Sequence, residues 1–293
     1  MSITLGTNIP AHTARTKLDS VVGNLTKTME RLSSGVKINR AGDDAAGLAI
    51  SQNMEATIRG SRQAMNNIQN AKSYLAIAED GMVSISEHFQ RINDLLTNMA
   101  NDTNDDNSRT ASVREIIERL SEIDRLAKTT NFNGRTMLDG NIDPETGESK
   151  PIVIQMGPSK DETSTLDISA ALSKCFVSSF GATLPTNLDP DGGEFKPTNE
   201  NCRAYMGIIQ NAIATLSTRR GLLGAYENRI DSSYDNMTIR IESLESAKSN
   251  YVDTDIAKEA TNLTHNQILE QVNIAMLTQA NSLQSMALSL LGG

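Results

Sequence analysis

Residues 31–50 read RLSSGVKINRAGDDAAGLAI and interrupt two regular apolar patterns. Glycines followed by carboxylates are typical of a metal or phosphate loop, and they are equally typical of a turn between two long helices. Two adjacent carboxylates point in different directions, and a carboxylate just before a helix commonly caps it and is stabilised by the helix dipole. We therefore interpret the stretch as a joint between two helices, formed by Gly35, Gly42, Asp43, Asp44 and Gly47.

Apolar residues on both sides of this joint recur at alternating spacings of three and four residues, which is the a and d pattern of a coiled coil. Before the joint the pattern occupies Leu18, Val21, Leu25, Met29 and Leu32. After the joint it occupies Met54, Ile58, Met65, Ile68, Leu75, Ala78, Met82, Ile85, Phe89, Ile92, Leu96 and Met99. The sequence therefore predicts two long helices.

Three further ladders predict helices later in the chain. The first comprises Val113, Ile116, Leu120 and Ile123, with Asn107 or Ser112 as the expected cap. The second comprises Met206, Ile209, Ile213, Leu216, Leu223, Ile230, Tyr234, Met237, Ile241, Leu244 and Tyr251. The third follows YVDTD, where an Asp can cap a helix, and comprises Leu269, Val272, Met276, Ala280, Leu283, Ala287 and Leu290. Because the two ends of the chain share one pattern, we expect them to pack against each other.

The middle of the chain, roughly residues 139–200, has a different composition that is rich in Pro, Gly, Asp and Thr. IVIQM at 152–156 alternates and is β-branched, and STLDIS at 164–169 is similar. The polar GPSKDET between them predicts a β-hairpin with a longer loop. Residues 178–200 are expected to form a surface connection without a core of their own. The predicted fold class is mainly α: a long coiled-coil helical rod with a small β-hairpin element.

The composition excludes several classes of partner. A net charge of −9 argues against nucleic acid, whose phosphates are bound by Lys and Arg, and against an anionic membrane surface. No stretch approaches about 18 consecutive apolar residues, so no membrane span is predicted. The first residues lack the apolar core and cleavage site of a secretory signal. With 3% aromatic residues and no Trp, Leu, Ile, Met and Ala must fill the core, as in helical bundles.

The sequence contains almost no motif of a catalytic, metal-binding or phosphate-binding site. The three histidines, His12, His88 and His265, lie far apart with no metal-ligand spacing. There is no phosphate-loop motif, and no serine stands in a nucleophile-elbow context. We therefore expect no metal, no cofactor and no enzyme activity.

Several stretches then resemble bacterial flagellin. At the N-terminal end they are ERLSSGVKINRAGDDAAGLAIS (30–51), QRINDLLTNMAND (90–102), EIIERLSEIDRLAKTTNFNG (115–134) and IQMGPSKDETSTLDIS (154–169). At the C-terminal end they are LGAYENRID (223–231), DTDIAKEATNLTHNQIL (253–269) and AMLTQANSLQSMALSLL (275–291). The resemblance follows the chain in order. It departs from the family in a very short centre, a pair of cysteines and a Leu-Gly-Gly end.

The resemblance implies a domain organisation. Residues 1–45 and 254–293 would form the inner coiled-coil domain that lines the filament channel. Residues 46–140 and 202–253 would form the surrounding helical rod domain, with 141–201 as a β-hairpin and short surface connection. The joint around Gly35 and Gly47 would then be the spoke between two layers, where glycine allows the backbone to turn sharply.

The resemblance also implies the function, that of a structural subunit that self-assembles into the flagellar filament used for motility. Its partners would be other copies of itself in a helical homopolymer, the flagellar export apparatus and an export chaperone. Filament cap and hook–filament junction proteins would be further partners. The subunit would be secreted, and the filament would be extracellular. We expect assembly to proceed by helix burial through Leu18, Val22, Leu25, Leu32, Leu269, Val272, Met276, Leu283, Leu290 and Leu291.

The resemblance further implies recognition by the animal Toll-like receptor that senses flagellin monomers. The matching positions are Arg91, Leu95 and Glu115. Arg suits such an interface because its guanidinium can donate two hydrogen bonds at once.

Two other functions remain open at this stage. The chain has features of a hook–filament junction protein or another secreted flagellar coiled-coil protein, such as an adhesin or a hydrolase-bearing flagellin. Junction proteins usually carry a larger middle, and the middle here is too small for a catalytic domain. A compact helical-bundle enzyme is the third alternative, which a failure to polymerise on seeds would favour.

Cys175 and Cys202 flank the Pro- and Gly-rich connection. In a chain exported to an oxidising exterior they are candidates for a disulfide. Closing the loop between them would restrict the unfolded chain by roughly 3–4 kcal/mol. The alternative is two free thiols that act as small buried hydrophobic groups.

Overall fold

The computed structural model describes residues 7–140, 151–186, 188 and 198–291, with side chains described as far as Met286 in the last helix. The described helices are α1 (Ile9–Ser34), α2 (Ala45–Met99), α3 (Asp106–Thr129), α4 (Asn199–Val252) and α5 (Ile256–Leu291). The strands are β1 (Asn131–Phe132), β2 (Arg135–Thr136), β3 (Val153–Gln155) and β4 (Thr165–Asp167). The predicted mainly α class with a small β-hairpin element is confirmed.

The chain divides into two compact units. The first comprises residues 1–58 and 242–293, and the second comprises residues 59–241. Both ends of the chain therefore belong to one unit, as the shared ladder pattern predicted.

The first unit contains an antiparallel pair of helices, α1 and α5. At one end of the pair, Asn8 donates a hydrogen bond to the carbonyl of Ala280, at 3.2 Å. At the other end, Arg31 lies 4.0 Å from the carboxylate of Glu259. Because early residues of α1 meet late residues of α5, the two helices run in opposite directions.

The most deeply buried residues of the seam between α1 and α5 are small or polar. In α1 the buried residues are Ala14 and Thr28, and in α5 they are Glu259, Asn273 and Ala280. The seven-residue spacing of the α5 positions is that of a coiled coil, so the predicted packing of the two ends is confirmed. The predicted ladder was wrong in its choice of residues at Met29, which is 50% exposed while its neighbour Thr28 is buried.

Helix starts follow the capping rules with one correction. Asp255 caps α5 by accepting hydrogen bonds from the backbone N–H groups of Ala257 and Lys258, as predicted. The predicted caps of α3 were wrong: the cap is Asp105, whose carboxylate accepts from Ser108 N at 3.1 Å. Both Asn107 and Ser112 lie inside α3. The first turns of α3 are polar, so the apolar ladder did not reveal where the helix begins.

The second unit has a dense apolar core. Ten ladder residues of α2 and α4 are almost fully buried in it: Leu75, Met82, Ile85, Phe89, Ile92, Leu96, Ile209, Leu216, Leu223 and Ile230. Residues of α3 join them, namely Val113, Ile116 and Ile123. Each such side chain contributes roughly 1.5–3 kcal/mol through burial, which explains why a chain with few aromatic residues holds this unit together.

The predicted β-hairpin is confirmed as the antiparallel pair of β3 and β4. Its register places Val153 opposite Asp167, Ile154 opposite Leu166 and Gln155 opposite Thr165. Leu166 is 2% exposed, whereas Val153 is 54% exposed. One face of the hairpin therefore packs on the core and the other faces outward.

Residues 178–200 were expected to form a surface connection without a core of their own. The start of this connection instead packs on the core of the second unit. Ala182 and Leu188 are buried. The ring of Phe180 makes an edge-to-face contact with Phe89, with ring centres 5.4 Å apart. The hydroxyl of Tyr205 donates a hydrogen bond to the carbonyl of Ala182 at 2.6 Å. Aromatic contacts across distant parts of the chain leave no periodic signal, so the sequence did not indicate this packing.

Candidate assembly surface and helix joint

The two carboxylates of the joint bind different backbone groups. Asp44 accepts a hydrogen bond from Gly47 N at 2.9 Å and so caps α2. Asp43 accepts from Arg40 N at 3.2 Å and Asn39 N at 3.4 Å. These donors, the Arg40 N–H foremost, hold the pKa of Asp43 below its ordinary value. The pair therefore stabilises the loop and the helix start, as the sequence suggested.

Two of the three joint glycines have a structural requirement. Gly35 ends α1 with φ 74°, a left-handed conformation, and its N–H donates to Arg31 O. A Cβ on Gly47 would lie 2.5 Å from the Asp44 carboxylate and 2.8 Å from the Ile38 side chain. Gly42 has open space around it and no positive φ. Nothing in the structure requires glycine at position 42.

The joint is hydrogen-bonded to the turn between α4 and α5. Lys37 N donates to Val252 O at 2.7 Å, and Thr254 N donates to Gly35 O at 2.9 Å. Val36 and Asp253 form an antiparallel bridge between these bonds. The sequence does not indicate this pairing, and its one signal nearby is the capping motif YVDTD. The joint between α1 and α2 is thus tied to the turn between α4 and α5.

Arg31 stands at the centre of the charges beside the joint. Its guanidinium lies 4.0 Å from Asp43 and 4.0 Å from Glu259. The Glu259 side chain is only 8% exposed, so removing Arg31 would leave a buried carboxylate with less compensation. Glu30 binds the neighbouring loop through Arg40 at 2.8 Å and Asn39 at 2.9 Å.

The structure divides the residues predicted for assembly into two sets. Half-buried within the α1–α5 pair are Leu18, Leu25, Leu32 and Leu269. Exposed are Val22 at 41%, Val272 at 47%, Met276 at 59% and Leu283 at 52%. The side chains of Leu290 and Leu291 lie outside the described part. The first set holds the pair together, and the second faces away from it.

The exposed residues of α5 belong to an apolar stripe along that helix. We call this the outer stripe, defined by Ile268, Val272, Met276, Leu283 and Met286. Spacings of three, four and seven place these residues on one side of a helix. The side that meets α1 carries Glu259, Asn273 and Ala280 instead. A helix that is apolar outside its own packing seam normally becomes buried by another partner.

The three residues predicted for receptor recognition differ in exposure. Arg91 Nε lies 3.2 Å from Glu115 Oε1, and both side chains are accessible. Arg119 also donates two hydrogen bonds to Glu115, at 2.9 Å each. These donors, Arg119 first, lower the pKa of the Glu115 carboxyl. Leu95 is 8% exposed and belongs to the core. Only the charged residues among the three reach the surface of the chain.

The predicted disulfide is not formed in the structure. Cys175 and Cys202 are both free and buried. The Cys175 thiol donates to the carbonyl of Ser173 and lies 3.8 Å from the guanidinium of Arg219. Burial raises the pKa of both thiols. The alternative interpretation, two small buried hydrophobic groups, is the one that the structure has.

In the described ranges, no three His, Cys, Asp or Glu side chains converge in a way that could hold a metal ion. Among the described helices, none has an apolar stretch that is long enough to span a bilayer.

Comparison with known proteins supports the resemblance from both ends of the chain. Residues 5–143 match the profile of the bacterial flagellin N-terminal helical region, and residues 206–291 match that of the C-terminal helical region. The chain is 35% identical to a flagellar filament 33 kDa core protein of Treponema phagedenis, over 97% of this chain and 98% of that one. It is 34% identical to flagellin of Bacillus subtilis strain 168, over 97% and 98% of the two chains.

A solved structure, that of a flagellar hook-associated protein from Vibrio parahaemolyticus, has a similar fold. Its TM-score is 0.58 with 18% identity, over 72% of this chain and 100% of that one. This likeness supports the fold alone. The family matches over most of the chain and the relatives that match nearly all of it lead to one conclusion: the chain belongs to the bacterial flagellin family, and it is a structural subunit of the flagellar filament.

Proposed function

We propose that this flagellin polymerises by burying the outer stripe of α5 against neighbouring copies of the chain. The observation that carries the proposal is the exposure of five large apolar side chains, between 47% and 59% each, on one side of a single helix. A different side of that helix already packs on α1. In water an exposed apolar stripe of this kind favours aggregation, whereas in a filament it serves as a contact surface.

The energetics are adequate for assembly. Burying one large apolar side chain completely contributes roughly 1.5–3 kcal/mol, so covering the exposed half contributes about 1 kcal/mol per residue. Five residues on each copy, with Val22 and Met29 exposed on α1, then supply several kcal/mol against the entropy of association. Where such contacts repeat head-to-tail without closing into a ring, they generate a helical filament.

The domain assignment forms part of the same proposal. Residues 1–45 and 254–293 supply the inner coiled-coil layer, and residues 46–140 and 202–253 supply the layer around it, with 141–201 as the hairpin and connection. The joint serves as the spoke between the layers. Its bridge to residues 253 and 254 supports this role, because the α1–α2 joint and the α4–α5 turn are then held together.

The remaining partners follow from membership of the family. The chain is exported through the flagellar export apparatus with an export chaperone and meets the cap and hook–filament junction proteins outside the cell. Its role is structural rather than enzymatic, and its location is the extracellular filament. A junction protein is less favoured, because the curated relatives that match nearly the whole chain are filament proteins.

Recognition by the animal Toll-like receptor is a separate proposal, which rests on Arg91 and Glu115. The accessible pair joined at 3.2 Å offers a positive and a negative group side by side. The buried Leu95 supports the helix beneath them. Arg91→Ala should reduce receptor signalling by purified monomer while leaving its helical content unchanged, and undiminished signalling would contradict the proposal.

Two matched substitutions test the assembly proposal. Ile268→Ser alters the outer stripe, where the side chain is 54% exposed, and Ile239→Ser alters an equally exposed position on α4, at 61%. Seeded polymerisation followed by sedimentation gives the concentration of unpolymerised subunit for each. We expect Ile268→Ser to raise that concentration by about fivefold, as the loss of about 1 kcal/mol requires, and Ile239→Ser to leave it near the wild-type value. Equal behaviour of the two variants would overturn the proposal.

A further inference from the structure

Methionines are distributed unevenly over the described chain. The exposed ones are Met29 at 50%, Met276 at 59% and Met286 at 57%, and all three lie on α1 or α5. Every other described methionine is buried or half-buried. In the second unit Met82, Met99 and Met137 are no more than 1% exposed.

The exposed methionines coincide with the surface proposed for assembly. Met276 and Met286 are members of the outer stripe. Met29 lies seven residues after Val22, so both residues project from the same side of α1, and Val22 is also exposed. The other members of the outer stripe are Ile268, Val272 and Leu283, whose side chains are inert to peroxide.

The chemistry of the thioether gives these positions a second property. A peroxide transfers one oxygen atom to the sulfur: the O–O bond breaks, an S–O bond forms, and water or an alcohol leaves. The sulfur loses two electrons and the peroxide gains them. The sulfoxide product is polar where the thioether was apolar, and a polar group without a partner is costly to bury.

We propose that Met29, Met276 and Met286 are an oxidation site that controls assembly. Peroxide-class oxidants convert the three thioethers of the unpolymerised subunit to sulfoxides, and the oxidised subunit is rejected by the growing filament. In the filament the same side chains are covered and resist oxidation. The inference rests on the proposed function, since it needs the outer stripe to be the contact surface.

The thiols are poor competitors for the oxidant. Cys175 and Cys202 are fully buried, and burial raises the pKa of both, which lowers the fraction of reactive thiolate. Oxidation of the folded subunit is therefore directed to the exposed thioethers.

The experiment compares three proteins before and after peroxide treatment. The test variant carries Met29→Leu, Met276→Leu and Met286→Leu, changes that keep the apolar volume. The control variant carries Met54→Leu, Met65→Leu and Met206→Leu, all at half-buried positions. Each monomer is treated with hydrogen peroxide, freed of it by catalase, mapped for sulfoxide by mass spectrometry and then offered to seeds.

We expect peroxide treatment to raise the concentration of unpolymerised subunit at least tenfold for wild type and for the control variant. For the test variant we expect the same concentration before and after treatment. Methionine sulfoxide reductase should restore wild type, because it returns the thioether. Filaments treated with peroxide should carry less sulfoxide at positions 276 and 286 than treated monomers.

The inference is overturned if oxidised wild type polymerises normally with its three sulfoxides present, or if the test variant loses assembly to the same degree. Its failure can be told from failure of the proposed function. If Ile268→Ser polymerises like Ile239→Ser, the assembly surface itself is wrongly placed. If Ile268→Ser is defective but the oxidised subunit is not, only the oxidation site is refuted.

Discussion

At the scale of single residues, the joint depends on the space available around one glycine. The Asp44 carboxylate binds Gly47 N at 2.9 Å, and the Ile38 side chain covers the same turn. A side chain on Gly47 would push into both groups, since its Cβ would lie within 2.8 Å of each. Gly42 differs, because nothing lies within 4 Å of a Cβ built there.

This difference predicts unequal effects of two identical substitutions. Gly47→Ala should disrupt the Asp44 cap, at a cost of about 0.5–2 kcal/mol, and crowd Ile38, which outweighs the helix-propensity gain of about 1 kcal/mol. Gly42→Ala should change stability by no more than about 0.5 kcal/mol. Thermal unfolding followed by circular dichroism measures both. A midpoint for Gly47→Ala at or above that of Gly42→Ala would contradict this account of the joint.

The two cysteines give a second prediction at this scale. Because both thiols are buried and free, a thiol reagent should react slowly with the native chain and should label two thiols per chain once guanidinium unfolds it. No reductant should be needed in either case. Failure to label any thiol in unfolded, unreduced protein would restore the disulfide that the sequence suggested.

At the scale of elements, α5 explains why a ladder can be correct in period and wrong in partner. The predicted ladder of α5 placed Leu269, Val272, Met276, Ala280 and Leu283 in one stripe, without separating the residues that meet α1 from those that meet neighbouring copies. In the structure Ala280 is buried in the seam with Glu259 and Asn273, Leu269 is half-buried, and Val272, Met276 and Leu283 are exposed. Small residues allow two helices to approach closely, and buried polar residues fix their register. Period alone does not tell which of two stripes faces which neighbour.

The end of α5 gives a prediction for the element. Deleting residues 284–293 removes Met286 from the outer stripe and the last turns of the helix. The truncated chain should remain helical, since the core of the second unit is untouched, but it should not polymerise. Deleting only residues 292–293, the terminal Gly-Gly pair, is the matched control and should leave polymerisation normal. Electron microscopy after seeding distinguishes the two, and normal filaments from the longer deletion would refute the prediction.

At the scale of the whole molecule, the length of the middle of the chain limits what the filament can carry. The described residues between α3 and α4 form two short hairpins and a segment packed on the core of the second unit. We therefore predict a thin, smooth filament in which this chain contributes no bulky outer domain. Negative-stain images of filaments grown from the purified chain would contradict this if they showed regular projections made by the chain itself.

Most of the helices and the β3–β4 hairpin followed from period and turn chemistry, which are local properties of the sequence. The joint and the assembly surface could be predicted from the sequence only in part. The cap at Asp44 was readable, whereas the bridge from Val36 to Asp253 joins residues more than 200 positions apart and leaves no local signal. The exposure of Met276 and the burial of Leu95 also depend on which helix lies beside them. Such features arise from tertiary packing, which no local pattern of the sequence contains.

A near-atomic reconstruction of the filament tests the central claim most directly. The measured quantity is the distance from the side chains of Ile268, Val272, Met276 and Leu283 to the nearest atoms of neighbouring subunits. The account predicts that most of these side chains lie within about 4–4.5 Å of a neighbour, which is apolar contact. A reconstruction in which the outer stripe faces solvent while subunits meet through other surfaces would contradict it.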